Sequence, residues 1–339
     1  MHQCAIDLGG RKSQICIRAA DGQVIHEERC ETASLKSYFK EWAEKSPPMK
    51  VVMETCAEAF GLADAALAAG HQVRVVPATL VKTLGVGQRR LKNDRRDAQV
   101  LSEVSCRIDL PSVHVPSARS REWKTISGMR ETLVRARTQL INNVRGWMRG
   151  QALRIRSGDA STFAKRVREL GAIPSYVDSQ LIVLETLTAQ IRVSEKHIRE
   201  LAKSDPVCVR QMTVPGIGPI TTLRFVSALD VASRFATAHR VESYLGLVPG
   251  ESSSSEKKQR LSITKAGQSA TRWALVQAAW SLRIRSKRED ARPLQNWANE
   301  VAKRRGTRVA TVALARKLAG ILWALWRNGS TFDPKRAAR

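Results

Sequence analysis

The 339-residue sequence predicts two fold classes in one chain, a mixed α/β domain over residues 1–115 and an all-α region over residues 116–339. Short apolar runs separated by turn residues predict the first, and apolar residues three or four apart predict the second. The charge changes at the same place. Residues 1–115 hold 16 of the 57 Lys and Arg and 14 of the 31 Asp and Glu, so a net charge of +24 out of +26 follows residue 115. This asymmetry is typical of a protein that binds a polyanion.

Three strand-like runs open the chain, at Gln3–Leu8, Gln14–Ala19 and Gln23–Arg29. The Asp21-Gly22 dipeptide between the last two is typical of a β-hairpin. A helical segment follows, with apolar residues at helical spacing. Its stripe consists of Leu35, Tyr38, Phe39 and Trp42.

Two prolines, Pro47 and Pro48, end that helix. Next come a strand at Lys50–Glu54, an Ala-rich helix at Gly61–Ala69 and a strand at Gln72–Val76. The resulting β-β-β-α-β-α-β order predicts a meander of three strands to which the later strands are added in parallel. That is the RNase H-like (RuvC-like) arrangement of a mixed sheet, and other α/β folds share the order.

Long helices are predicted after residue 115, and arginines fall between their apolar positions. The first has the stripe Trp123, Ile126, Met129, Leu133, Leu140, Val144 and Trp147. A second starts near Ser175, with Val177, Leu181, Leu184, Ile191 and Ile198 near heptad spacing. The pair predicts an antiparallel or swapped coiled coil, or two helices of one bundle, that serves as a spacer or dimerisation arm. We therefore divide the chain into domains at 1–115, 116–205 and 206–339.

The six cysteines show no Cys-x-x-Cys pairing, which predicts reduced and mostly buried thiols in a cytosolic protein. The apolar stretch Leu318–Trp326 is too short to cross a bilayer. Four tryptophans at helical spacings in apolar surroundings are expected in the core. They are Trp273, Trp280, Trp323 and Trp326.

Four acids carry the most chemical information. Asp7 and Glu54 end strand-like runs, and Asp94 and Asp97 lie three residues apart, so that they share one face of a helix. Carboxylates at strand ends need a cation, either Lys and Arg or a divalent metal. Four hard oxygen donors suit Mg²⁺ or Mn²⁺, which catalyse reactions at phosphate. The alternative is structural: Asp94 caps the helix and Asp97 interacts favourably with its dipole.

A glycine motif and a serine motif follow in the cationic region. Gly216 and Gly218, in a Pro-Gly-Ile-Gly-Pro segment, resemble the hairpin of a helix-hairpin-helix DNA-binding element, and the alternative is a tight turn without a ligand. Further on, Gly-Leu-Val-Pro precedes four serines, Ser252–Ser255, which composition alone predicts to be a flexible polar loop. The segment Ile-Thr-Lys-x-Gly, which contains Lys265, and then Arg272 complete the set.

Taken in order, these motifs resemble the DEDD-type transposases of the "one-ten" insertion-sequence family over nearly the whole chain. The acids match the family's RuvC-like tetrad as Asp7, Glu54, Asp94 and Asp97, with Glu58 a poorer match than Glu54. The later motifs match the family's C-terminal transposase domain. The resemblance implies contact with nucleic acid at Gly216, Gly218, Lys265 and Arg272.

The resemblance also implies a mechanism. A serine of the loop attacks a DNA phosphodiester and forms a phosphoserine link, and the tetrad with Mg²⁺ completes a composite site across two protomers. The family commonly reads Ser-Ser-Gly here, whereas Glu256 follows four serines in this chain, so the nucleophile is placed at Ser254, with Ser253 and Ser255 as alternatives.

The implied partners are donor and target DNA, a structured bridge RNA that guides the reaction, and further copies of the chain, as a dimer or a tetramer on DNA. The implied location is the bacterial cytoplasm, without a membrane partner. Lys and Arg then supply sequence-tolerant affinity for phosphates. The rival interpretation is a metal-dependent Holliday-junction-type endonuclease without a covalent intermediate.

Overall fold

The computed structural model describes residues 1–83, 94–254 and 257–337. They form two compact units, Met1–Pro116 and Ser117–Arg339. The first is α/β and the second is helical with one β-hairpin. The change of fold class thus falls where the charge and the periodicity of the sequence change. The separate helical arm at 116–205 stays a prediction.

A five-stranded mixed sheet forms the centre of the first unit, in the order β3-β2-β1-β4-β5. β1, β2 and β3 are an antiparallel meander, and β4 and β5 are parallel additions beside β1. This topology confirms the mixed sheet predicted from the order of elements. The strands are β1 (Gln3–Asp7), β2 (Lys12–Arg18), β3 (Val24–Glu31), β4 (Lys50–Glu54) and β5 (Gln72–Val76).

Helices cover both faces of this sheet. The helices of the first unit are α1 (Leu35–Lys45), α2 (Ala59–Ala68), α3 (Ala78–Thr83) and α4 (Asp94–Arg107). On one face, Ile6 and Met53 pack with Phe39 of α1 and Leu62 of α2. On the other face, Ala5 and Val52 pack with Leu101 of α4. Successive residues of a strand alternate between the two faces, so each strand contributes to both cores.

The second unit begins with a long helical pair. Its elements are α5 (Ala118–Gly150), α6 (Phe163–Arg168), α7 (Ser175–Ser204), α8 (Pro206–Gln211), α9 (Pro219–Leu229), α10 (Ala238–Tyr244), β6 (Pro249–Ser254), β7 (Lys257–Ile263), α11 (Ser269–Arg285), α12 (Arg292–Arg305), α13 (Thr307–Asn328) and α14 (Pro334–Ala337). Trp123, near the start of α5, packs with Ile198 near the end of α7. Val144, near the end of α5, packs with Leu181 near the start of α7. The two helices are therefore antiparallel, and the predicted apolar stripes contribute to their contact, except at Met129, which is 66% exposed and for which the prediction is wrong.

The core of the second unit is built around α13, whose Leu314, Leu318 and Leu322 are fully buried. This helix is long and apolar enough to cross a membrane by length and composition, with a hydropathy of 1.4, but half of its apolar window is buried within the unit. Packing on α10, α11 and α12 identifies it as a core helix. The predicted apolar stretch, Leu318–Trp326, is only the most apolar part of this 22-residue helix, so the prediction from its length was wrong.

The four tryptophans predicted to lie in the core divide into two pairs. Trp323 is buried, and its indole N–H donates to the Ala232 carbonyl at 3.0 Å, while Trp326 is half-buried against the same core. The predicted core position is wrong for Trp273, which is 55% exposed, and for Trp280, which is 39% exposed. Both lie on the outer face of α11, because smaller side chains on its inner face fill the core, among them Ala274, Leu275, Ala278 and Leu282.

All six cysteines are free thiols. Cys4, Cys16 and Cys208 are buried and Cys106 is exposed, so the predicted burial holds for half of the set. Burial raises the pKa of Cys4 and of Cys208 to about 12. These two thiols are therefore protonated and unreactive at neutral pH.

The β6–β7 hairpin replaces the flexible loop predicted from the four serines. Ser252 and Ser253 pair with Gln259 and Lys258, and Ser254 pairs with Lys257. Composition could not predict this strand, because serine has little intrinsic preference and the pairing with β7 decides the conformation.

Two glycines fix the base of the hairpin. Gly246 has φ +68°, and a Cβ there would lie 2.3 Å from the Ala266 carbonyl oxygen. Gly267 also has φ +68°, and its Cβ would lie 2.1 Å from the Tyr244 carbonyl oxygen. Arg272 then donates from Nη1 to two backbone carbonyls, Leu245 at 3.0 Å and Ala266 at 2.8 Å. The Gly-Leu-Val-Pro and Ile-Thr-Lys-x-Gly motifs are thus two halves of one clamp.

A buried arginine joins three helices of the second unit. Arg224 of α9 is 3% exposed, and its Nη2 donates to Glu131 of α5 at 2.7 Å and to the Ser127 carbonyl at 3.2 Å. Its Nη1 donates to the Ala270 carbonyl of α11 at 3.2 Å. Burial alone would raise the pKa of Glu131, but the hydrogen bonds and charges of Arg224 and Arg135 outweigh burial and lower it.

We expect Arg224→Met to lower the free energy of unfolding by about 2–3 kcal/mol. This is below the usual loss for a fully buried ion pair, because Glu131 keeps some contact with water.

The pKa of Glu131 is lower in the folded state, so its contribution to stability is present above the unfolded pKa and is lost as the pH falls through the folded value. Glu131→Gln should therefore cost stability at neutral pH and cost little in acid. Urea denaturation at neutral and at acidic pH measures the loss, and the exposed Glu122→Gln is the control. An equal loss of stability at the two pH values would contradict the prediction.

We expect Gly267→Ala to destabilise the second unit or to displace the hairpin, because it combines positive φ with a carbonyl contact no neighbour can relieve. Gly128→Ala, on α5 with no atom within 4 Å of the added Cβ, is the matched control and should be neutral or stabilising. Thermal unfolding followed by circular dichroism compares the two. Equal melting temperatures would contradict the clamp.

Candidate active site

Two predicted acids end neighbouring parallel strands. Ile6 of β1 and Met53 of β4 are register partners, and Asp7 and Glu54 each follow by one residue. Alternation along the strands puts both acids on the face of Ala5 and Val52, which is the face that α4 covers. Both are half-buried. The sheet therefore brings the first two members of the predicted tetrad side by side.

The direction of α4 decides where the other two acids lie. Past the end of this helix, Asp109 accepts from Lys50, the first residue of β4, at 2.8 Å. In the middle, the Ser102 hydroxyl donates to Cys16, which is paired with Ala5 of β1. α4 therefore runs opposite to β1 and β4, and it begins at the end of the sheet where those strands finish.

The first turn of α4 carries the second acid pair. Asp94 is its first residue, although the Asp94 side chain lies outside the described part of the structure. Asp97 is half-buried and lies one turn before Leu101, on the side that faces the sheet. First-turn carboxylates are also stabilised by the helix dipole, which is the structural role that the sequence predicts for this pair.

Glu27 of β3 holds this part of α4 in place, and the sequence analysis missed it. Its carboxylate accepts from Arg95 Nε at 2.9 Å and Nη2 at 2.5 Å, and from the Gln99 amide. The hydrogen bond from Gln99 and the charge of Arg95 lower the pKa of Glu27. The spacing of Arg95 and Gln99, four residues apart on one helix face, was the available signal, but nothing in the sequence links that face to β3.

Gln14 is a second neighbour that the sequence analysis missed. It is the register partner of Asp7 on β2 and is 8% exposed. Its side-chain amide donates to the carbonyl of the adjacent Ile15 at 3.5 Å. No motif marks Gln14, because its importance depends on the pairing of β1 with β2.

The acids fit a divalent cation by donor type and by place. Carboxylate oxygens are the ligands that Mg²⁺ prefers, and Asp7, Glu54 and Asp97 lie at one end of the sheet. Within residues 1–83, 94–254 and 257–337, no group of three or more His, Cys, Asp or Glu side chains is close enough to hold a metal ion. The side chain of Asp94 is not among these described groups. The closed set of ligands is thus not assembled among the described side chains.

The predicted nucleophile lies in the second unit. Ser254 is the last residue of β6, and Lys257 and Lys258 occupy the register positions opposite Ser254 and Ser253. The alternative Ser255 lies outside the described residues, as do the side chains of Ser253 and Ser254. The structure therefore places the backbone of two candidate serines on a strand whose base is clamped.

The predicted nucleic-acid residues have structural roles as well. Gly216 has φ +81°, and a Cβ there would lie 3.0 Å from the Ala278 carbonyl oxygen of α11. Gly218 directly precedes α9. Lys265 is exposed with φ +55°, and Arg272 binds backbone carbonyls in the clamp. Their contact with nucleic acid stays a prediction.

Comparison with known proteins assigns both units to transposases. A DEDD transposase family model matches residues 4–151, and a model described as "Transposase IS116/IS110/IS902 family" matches residues 209–295. A "Probable family 20 transposase" of Pseudomonas aeruginosa is 30% identical and aligns over 98% of this chain and 99% of its own length.

Two further relatives are named for insertion sequences. The transposase of element IS1111A from Coxiella burnetii is 28% identical over 96% of this chain and 90% of its own. The transposase of IS1328 from Yersinia enterocolitica is 28% identical over 97% of each chain. The DEDD domain implies a divalent metal ion as cofactor. The chain therefore belongs, over nearly its whole length, to the IS110/IS116 family of insertion-sequence transposases, which are enzymes that act on DNA.

Proposed function

We propose that this transposase cuts and rejoins DNA through a covalent phosphoserine intermediate formed by Ser254, with Mg²⁺ or Mn²⁺ held by Asp7, Glu54, Asp94 and Asp97. The observation that carries the proposal is the register of β1 and β4. It places Asp7 and Glu54 side by side on the face covered by α4, whose first turn contains Asp94 and Asp97. Neighbouring strands lie about 4.8 Å apart, and this spacing supports a cation shared by carboxylates at adjacent strand ends.

In this proposal the four acids bind the cation, and Glu27 and Gln14 lie next to parts of the acid site. A bound divalent ion would neutralise charge on the scissile phosphate and lower the pKa of an attacking hydroxyl. Glu27 fixes the start of α4 through Arg95 and Gln99, and Gln14 lies beside Asp7. The contacts of Glu27 limit how far the first turns of α4 can move relative to the sheet.

The serine breaks the DNA strand. Its Oγ forms a bond to phosphorus and loses its proton, while one deoxyribose oxygen leaves and takes up a proton as a hydroxyl. The reverse attack, by a hydroxyl of another strand on the phosphoserine, frees the serine and joins the DNA without any outside energy source. A fixed hairpin base supports this role, because covalent catalysis needs a positioned nucleophile.

The proposal extends to partners. A net charge of +24 after residue 115 supports binding to DNA and to a structured bridge RNA that selects the sites by base pairing. Exposed apolar residues of α7, namely Ile182, Val183 and Val193, support a dimer or tetramer. The bacterial cytoplasm, where such DNA is found, is the proposed location.

The second candidate is a metal-dependent Holliday-junction-type endonuclease that uses the acids alone. The same register of Asp7 and Glu54 favours it, because two strand-end carboxylates and a cation suffice for hydrolysis by water. It differs from the first candidate in leaving no link between protein and DNA.

We expect Ser254→Ala to abolish a covalent protein–DNA adduct that the wild type forms. The adduct is measured as a slow-migrating band of labelled DNA after denaturation, and digestion of that band identifies the modified serine by mass spectrometry. Ser253→Ala and Ser252→Ala are the matched controls and should retain the adduct. Nicked DNA without any adduct in the wild type would contradict the phosphoserine and support the endonuclease.

We expect Asp7→Asn and Glu54→Gln each to weaken binding of Mn²⁺ by about tenfold or more, since each removes one charged ligand. Binding is measured by calorimetry or by the magnetic resonance signal of free Mn²⁺, without DNA. Glu41→Gln, an exposed acid of α1, is the control and should bind as the wild type does. Unchanged affinity in both variants would refute the assignment of these acids.

A further inference from the structure

The outer face of α11 is aromatic and exposed. Trp273 is 55% exposed, Trp280 is 39% exposed and Ile284 is 55% exposed, with exposed Gln277 between the two tryptophans. These positions are four, three and four residues apart, so they form one face of the helix. The opposite face, with Ala274, Ala278 and others, fills the core of the unit. Fold stability therefore does not explain the two indoles.

A groove of about 600 Å³ opens beside Trp273, and we call it the Trp273 groove. Its lining includes Trp273 of α11 together with residues of α5, namely Val134, Arg135, Thr138, Gln139 and Asn142. Its volume lies within the range of about 300–1,000 Å³ that is usual for ligand pockets. The groove combines an aromatic surface with amide, hydroxyl and guanidinium groups.

This combination matches an unpaired nucleotide. An exposed indole stacks on a nucleobase of any sequence, and asparagine and glutamine amides bind base edges. The exposed Arg135 favours a nucleotide over the apolar face of a docking protein helix, because its guanidinium can bind a phosphate.

The charges of the groove favour the same ligand. Arg130, Arg135 and Arg224 line it together with Glu131. Arg130 is paired with Glu195 and Arg224 with Glu131, both at low exposure. The Arg135 side chain is 73% exposed, and its ion pair with Glu131 spans 2.8 Å. An exposed pair contributes little, so Arg135 can exchange it for a phosphate at small cost.

The aromatic face continues beyond the groove. Trp280 lies seven residues after Trp273, which is about 10.5 Å along the helix axis. Arg285 places its guanidinium 4.6 Å from the centroid of the Trp280 ring, so a cation already lies beside the second indole. A strand that leaves the groove along α11 meets a second stacking surface with a positive charge next to it.

The clamp fixes the start of α11 as well as the hairpin. Arg272 precedes Trp273 and is bound to the carbonyls of Leu245 and Ala266. Arg224 holds the Ala270 carbonyl at the first turn. Trp273 is therefore presented from a backbone held on both sides, which reduces the entropy lost when a base stacks on it.

We infer that the Trp273 groove binds an unpaired segment of nucleic acid, with one base stacked on Trp273, its edge on the amides of Gln139 or Asn142 and its phosphate on Arg135. The inference rests on the proposed function only in that the chain handles nucleic acid. It assigns a binding site for single strands outside the acid cluster and the serine hairpin.

Equilibrium binding tests the inference. Fluorescence anisotropy with a labelled, unstructured dodecanucleotide, as RNA and as DNA, is compared with a duplex of the same sequence. Trp273→Ala should weaken single-strand binding by about 5- to 100-fold and leave duplex binding unchanged. Trp273→Phe should restore most of the affinity, because it keeps a stacking ring. Tyr176→Ala, an aromatic of α7 that is 65% exposed, is the matched control and should bind normally.

Each result of the binding experiment supports or contradicts the inferred site. A loss with RNA alone identifies RNA as the source of the single strand, and a loss with both identifies unpaired strands generally. Equal affinity of Trp273→Ala for all probes, or an equal loss on the duplex, would overturn the inference. So would a loss of self-association in Trp273→Ala without a change in oligonucleotide binding, which would assign the face to a second copy of the chain. No strand is cut in this assay, so its failure leaves the adduct experiment unaffected.

Discussion

The buried guanidinium of Arg224 is the interaction on which the helical unit most depends. It replaces water with Glu131 and two carbonyls, and in doing so it ties α5, α9 and α11 at one point. A buried charge without such partners would be strongly unfavourable, so the hydrogen bonds of Nη1 and Nη2 favour the arrangement in which these three helices meet. The Trp273 groove is lined by residues of α5, α9 and α11, and the hairpin clamp includes Arg272 near the start of α11. Arg224 therefore contributes to the geometry of the groove, which it also lines, and to the position of the first turn of α11.

The sequence predicted the first unit well because its information is local. Strand-like runs, turn dipeptides and the order of elements determine a meander with parallel additions, and alternation along β1 and β4 then determines the face of Asp7 and Glu54. The family resemblance pointed to the same acids. Sequence could not predict that α4 starts at their end of the sheet through Glu27, because that contact joins residues 68 and 72 positions apart.

Where predictions from the local sequence failed, contacts between residues distant in the sequence, or between charged groups and their partners, had decided the structure. Four serines predict a loop by composition, yet pairing with Lys257–Ile263 makes three of them a strand. Trp273 and Trp280 have core-like spacing, yet α11 has a narrower buried face than that spacing suggested, and the indoles are outside it. Arg272 matched a family motif for nucleic acid, and its observed partners are backbone carbonyls. Sequence patterns identified residues that matter, and three-dimensional contacts were needed to say why.

The crossed glycines at the hairpin base separate what must stay constant from what is free to vary. Gly246 and Gly267 each face the backbone of the other motif, so both motifs can change only together. The strands between them carry no such restriction. Two residues added to each strand would advance the tip by about 7 Å, at 3.3 Å per residue, and leave the base as it is. Relatives are thus free to differ in how far the serine extends from a common root, and alignments anchored on the two glycines should place their gaps between them.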